Sequence, residues 1–131
     1  MAIKKDDVVR FFKYHEEYFG KDVLKSVMDE FEFDKSRLDD KNLDKLSSKE
    51  LKELYADMVY FVVGGIGIDF ETMYDLLDEV MNLDHETIEY LLDWWYRNTH
   101  DFSRAYFLFV VNKNSDYCYN NNFKYIRYNK N

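Results

Sequence analysis

Proline is absent from this 131-residue chain, where average usage near 5% would place about six or seven. Alanine is scarce as well, while Lys, Asn, Asp, Tyr and Phe are abundant. That bias excludes an average composition and fits an AT-rich genome, such as a low-GC bacterium, its phages or plasmids, or a large DNA virus. Cysteine occurs once, at Cys118, which excludes an internal disulfide and removes any argument for an oxidising compartment. Long apolar runs are missing too. The stretch from Met58 to Ile68 is broken by glycines and too short to span a bilayer, and "MAIKKDDVVRFF" turns acidic before a signal-like apolar core develops. The expectation is a cytoplasmic protein, in the host cytoplasm if phage-encoded, that neither enters a membrane nor is exported.

What is present is aromatic and acidic. Twelve Tyr and eleven Phe imply that bulky rings fill much of the interior, and the chain is long enough for one core without disulfides or metal. The fold expected is mainly α: a compact single-domain bundle over residues 1–131 with five to six short helices, with a C-terminal β-hairpin as an option.

Val8, Phe12, His15 and Phe19 recur at helical spacing before Gly20, and Leu24, Val27, Met28 and Phe31 repeat the pattern. Ser36-Arg37-Leu38-Asp39 and, more strongly, Ser47-Ser48-Lys49-Glu50 read as capping signals. Residues 36–46 suggest a short helix. Leu51, Leu54, Tyr55, Met58 and Val62 then share one face of a helix expected to stop at Gly64-Gly65. Near the end, "AYFLFVV" suits a buried strand and a buried helix equally, and "FKYIRY" after an Asn-rich loop is strand-like.

Between these lies a stretch said twice. "DFETMYDLLDEV" from Asp69 and "DHETIEYLLDWW" from Asp84 agree at six of twelve positions, fifteen residues apart. Asp69 and Asp84 stand where N-cap carboxylates belong, with Glu71 and Glu86 in the first turn, so each copy opens a helix, joined near Asn82-Leu83. The period is too short for a usual solenoid unit, and good helix starts resemble one another without duplication.

The charge is local. Residues 54–96 hold ten acids (Asp57, Asp69, Glu71, Asp75, Asp78, Glu79, Asp84, Glu86, Glu89, Asp93) and no Lys or Arg; removing them from the chain's 26 acids leaves 16 against 18 basic residues. On the first doubled helix Phe70, Met73, Leu77 and Val80 face inward and Glu71, Asp75, Asp78 and Glu79 outward; on the second Ile88, Leu91, Leu92 and Trp95 face inward and Glu86, Glu89 and Asp93 outward. Trp94, beside Asp93, sits off the inward stripe and is a candidate interface anchor, or a cap on the core edge. Like charges three or four residues apart cost a few tenths of a kcal/mol per pair. A stripe that keeps them without local relief is either a solvated face or a surface meant for a cationic partner.

The chemical motifs that the sequence begins do not close. "HETIE" from His85 starts like a zinc-protease helix but has Glu89 where the second histidine belongs; His15-Glu16-Glu17 lacks the paired cysteines of a zinc deaminase. "NKNSDY" lacks the glycine and terminal Glu of an EF-hand, and "GGIG" lacks the Lys of a phosphate loop. "NFKYIRYNK" mixes rings and cations as single-strand binders do, yet the acidic block opposes nucleic acid. No enzyme, metal, cofactor or direct nucleic-acid binding is expected. The leading expectation is a small acidic inhibitor that covers the basic nucleic-acid groove of a nuclease or related enzyme. An anti-CRISPR or antirestriction DNA mimic and a toxin immunity protein both fit that description. Its contacts would be Glu71, Asp75, Asp78, Glu79, Glu86, Glu89, Asp93 and Trp94. The rival is a helical adaptor or regulatory subunit whose acids merely solvate it.

Overall fold

A computed structural model describes the backbone of residues 2–98 and the side chains of residues 2–92. The "AYFLFVV" segment and the C-terminal hairpin option lie outside the described residues, as do the side chains of Asp93, Trp94 and Trp95. Within the described residues the protein is helical and has no strands, as the periodicity predicts. The six α-helices are α1 (Lys5–Phe19), α2 (Lys21–Glu30), α3 (Asp40–Leu43), α4 (Ser48–Phe61), α5 (Phe70–Asp75) and α6 (His85–Asn98).

Local chemistry sets most of the ends. In α1, Asp7 accepts a bond from the Lys4 N–H at 2.8 Å, and Asp6 and Asp7 place negative charge in the first turn. Gly20, at φ 91°, ends α1 and begins α2. A Schellman turn closes α2: Glu32 takes the left-handed conformation at φ 55°, its N–H reaches Asp29 O at 3.2 Å, and Phe33 N–H reaches Met28 O at 2.8 Å. That reversal drops the Phe33 ring into the core, 5.1 Å from Phe61. Residues 36–46 form less helix than expected. A 3₁₀ turn, Lys35–Leu38, is followed by the single turn of α3, and the cap is Asp34, which accepts from Ser36 N–H at 2.9 Å, rather than Ser36 itself. The Ser47 signal is a true capping box: Ser47 Oγ accepts from Glu50 N–H at 3.2 Å and Glu50 accepts from Ser47 N–H at 3.1 Å.

α4 is the central element, packed against α1 on one side and α6 on another. It does not stop at Gly64-Gly65. The chain continues as a π-helical turn, Val62–Ile66, and stops at Gly67, whose φ of 89° only glycine adopts easily and whose N–H reaches Val62 O at 3.3 Å. Gly65 has a different role. A Cβ there would stand 2.3 Å from Val27 Cγ1, so its hydrogen lets α2 lie against this turn.

Apolar side chains from all six helices form one buried cluster. Tyr55, Phe11 and Phe61 are among its largest fully buried members, and Phe11 lies 4.9 Å from the Tyr55 ring. Phe11, rather than the expected Phe12, is the buried ring of α1 beside Val8 and His15; Phe12 is half-buried. His15 Nδ1 donates to Phe11 O at 2.8 Å, since a carbonyl only accepts, and burial pushes the imidazole down to about 4, so it packs as a neutral ring.

Candidate functional site

The two Asp-led helices begin alike. Asp69 accepts from Thr72 N–H at 2.7 Å and Asp84 from Thr87 N–H at 2.8 Å, with both threonines buried. The Thr87 hydroxyl and backbone N–H hold the Asp84 carboxyl down at about 2. Each cap thus serves the start of its own helix.

After Asp75 the first helix widens into a π turn, Leu76–Val80, in which Met81 N–H reaches back to Leu76 O at 3.0 Å. The extra residue in the turn shifts the inward position from Val80 to Met81. Val80 is 40% exposed, against the expectation that it faces inward, and Met81 is buried in its place. Asn82, left-handed at φ 57°, then reverses the chain so that Leu83 returns to the core with its N–H on Leu77 O at 3.0 Å.

The carboxylates fall out as follows. Glu71, Asp75 and Glu79 succeed one another every four residues, the first two half-buried and the last exposed. Glu86 and Glu89 are exposed on the first two turns of α6. Asp78 joins the rows, its Oδ1 lying 3.6 Å from Nε2 of His85, the first residue of α6. The His85 ring also meets Tyr74 edge-on at 5.6 Å. Sequence spacing brings together the acids within each helix; the Asp78–His85–Tyr74 junction between the helices is a tertiary contact that spacing does not announce.

Neutralisation comes from elsewhere in the chain. Arg10 of α1 donates to Val80 O at 3.0 Å, placing a cation at the carbonyl end of the first doubled element. Lys52 of α4 lies 4.1 Å from the Tyr90 ring centre on α6. Asp57, counted in the acidic block, pairs with Arg37 at 3.0 Å and faces the 3₁₀ turn. Cations from outside residues 54–96 thus stand at Val80, Tyr90 and Asp57.

Among the described residues no group of three or more His, Cys, Asp or Glu is arranged to hold a metal ion, and no helix is long and apolar enough to cross a membrane. No protein-family model, curated protein or solved structure matches the chain.

Proposed function

We propose that the protein is a stoichiometric inhibitor that offers carboxylates in place of phosphates to the basic groove of a nucleic-acid-processing enzyme. The observation that carries this reading is the pair of acidic rows on consecutive helices, Glu71-Asp75-Glu79 and Glu86-Glu89, with a contact between the helices at Asp78 and His85. Along a helix, residues three and four apart advance about 4.5 to 6 Å. Duplex phosphates advance about 3.4 Å per strand, so two such rows imitate a phosphate backbone coarsely. Asp93 and Trp94 continue α6 beyond Glu89 and extend the proposed contact. The biological settings that suit such a protein are a phage or mobile element disarming a host nuclease, and immunity against a nuclease toxin.

The test is affinity capture from the source cell in low salt, followed by elution with either duplex DNA or NaCl. A nucleic-acid enzyme released by both supports the reading, because groove occupation and counterion-sensitive contact predict both. A partner that stays bound through moderate salt and excess DNA contradicts it and favours the adaptor reading.

A further inference from the structure

Residues 54–96 contain no Lys or Arg, so His85 is the one side chain of that block able to carry positive charge. It opens α6, and its Nε2 lies 3.6 Å from Oδ1 of Asp78, in the π turn of the preceding element. The Tyr74 ring meets the imidazole edge-on at 5.6 Å, so the ring is held from the side while Nε2 faces the carboxylate. The position is also where the acidic rows adjoin. Asp78 precedes Glu79, the last acid of the first row, and His85 precedes Glu86, the first acid of the second.

The charges around this imidazole are of one sign. The first doubled element turns Tyr74 and Asp78 toward it; on its own helix Asp84 and Glu86 flank it, and Glu89 stands one turn further along the same face. α4, which also packs on α6, sends Lys52 to the Tyr90 ring, and Arg10 of α1 ends on the Val80 carbonyl. Among the described residues no Lys or Arg pairs with Asp78 or Glu86. The side chains of His85 and Asp78 are 68% and 42% exposed, so protons from solvent reach both. Imidazoles ordinarily change charge between about pH 5 and 8, a range in which carboxylates stay ionised. The other described histidine is unsuited to that range, because burial holds His15 down at about 4.

We infer that His85 makes the acidic surface pH-sensitive: a proton taken from solvent turns its imidazole into a cation paired with Asp78, and the doubled helices then hold a cationic partner less tightly. Two effects act together. The charged imidazole occupies Asp78 as an acceptor, and it sets a like charge against each incoming Lys or Arg. Loss of the proton restores both. The inference rests on the reading of these helices as a surface for a basic groove, and it adds a regulating residue from outside the carboxylates of that contact.

The experiment is an amide NMR titration of the full ¹⁵N-labelled chain with acetyl-octalysine-amide at pH 7.5 and pH 5.5, for the native protein, His85→Gln and His85→Lys. At pH 7.5 the native chain should show NaCl-sensitive shifts on the amides of α5 and α6. Between the two pH values its affinity should fall about two- to fivefold more than that of His85→Gln, and His85→Lys should already bind weakly at pH 7.5. The three proteins share the amino terminus, His100 and every carboxylate, so the difference isolates position 85. In the native chain the loss should also track the titration of the His85 ring protons, a readout that needs no variant. An equal pH response in native and His85→Gln, a loss that does not follow the His85 ring, or a His85→Lys chain that binds as tightly as the native one at pH 7.5 would each overturn the inference and leave the acidic surface standing. Shifts that miss α5 and α6, or that ignore NaCl, would overturn the reading of those helices and this inference with it.

Discussion

The helix led by Asp69 and the helix led by Asp84 share half of their first twelve residues, yet α5 stays α-helical for 6 residues before widening, whereas α6 runs for 14. The matched residues are those that any capped, half-buried helix needs. Asp accepts from the third N–H, Thr is buried beneath it, and the Leu-Leu pair enters the core: Leu76 and Leu77 in one, Leu91 and Leu92 in the other. The unmatched residues make the two helices different objects. Tyr74 in the first meets His85 from the second, a ring that also reaches the matched Asp78, and Val80, exposed by the π turn, leaves its carbonyl to Arg10. The likeness is thus accounted for by the start of a helix, and duplication is not required to explain it.

That comparison breaks most readily in the core. Leu77→Ala and Leu92→Ala, each removing a side chain no more than 1% exposed, should each cost about 2–5 kcal/mol in chemical denaturation. A large loss at one and none at the other would show that the helices do not share a core. The caps come next: Asp69→Ala should lower stability by about 0.5–2 kcal/mol. Asp84→Ala should act in the same direction with a defined pH signature. The Asp84 carboxyl is held at about 2 in the fold against an ordinary 3.8, so its stabilisation is complete above 3.8 and disappears as pH falls through 2. Denaturation of wild type and variant at pH 5 and at pH 2 checks this; a gap that persists unchanged at pH 2 would contradict the cap's role.

Smaller effects separate the two helices. Arg10→Met should cost about 0.3–1 kcal/mol. It should speed hydrogen exchange at Met81 and Leu83 while sparing the amides of α6, because Arg10 binds the end of the first helix. Smallest of all in stability is Glu86→Gln with Glu89→Gln, expected within about ±0.5 kcal/mol because both side chains are exposed. A larger destabilisation would mean that these acids serve the fold and not a partner.

Features written in a few neighbouring residues were legible in the sequence. The Ser47–Glu50 box, the two Asp caps and the Gly20 stop depend on contacts within one turn, and the inward positions Ile88, Leu91 and Leu92 of α6 follow from regular helical spacing. Two misreadings arose where the backbone left ideal α geometry. A regular 100° step carries Val80 inward, and only the π turn hands its place to Met81; likewise a glycine pair reads as a stop, although the left-handed residue is Gly67. Contacts distant in sequence were not legible at all. Asp57 looked like one acid of a block until the fold brought Arg37 to it across twenty residues, and Lys52 and Arg10 reach the doubled helices in the same way. Of the candidate contact surface, spacing supplied the rows on each helix, while the Asp78–His85 contact between the helices needed the tertiary structure.

The most direct measurement of the central claim is the salt dependence of partner binding for the native chain and for a variant in which Glu71, Asp75, Glu86 and Glu89 are replaced by Lys. If carboxylates on these two helices stand in for phosphates, the native affinity falls steeply with NaCl and the variant fails to bind at any salt concentration. An affinity that is flat in NaCl, or a variant that binds as well as the native protein, would show that the acidic rows do no more than keep the surface solvated.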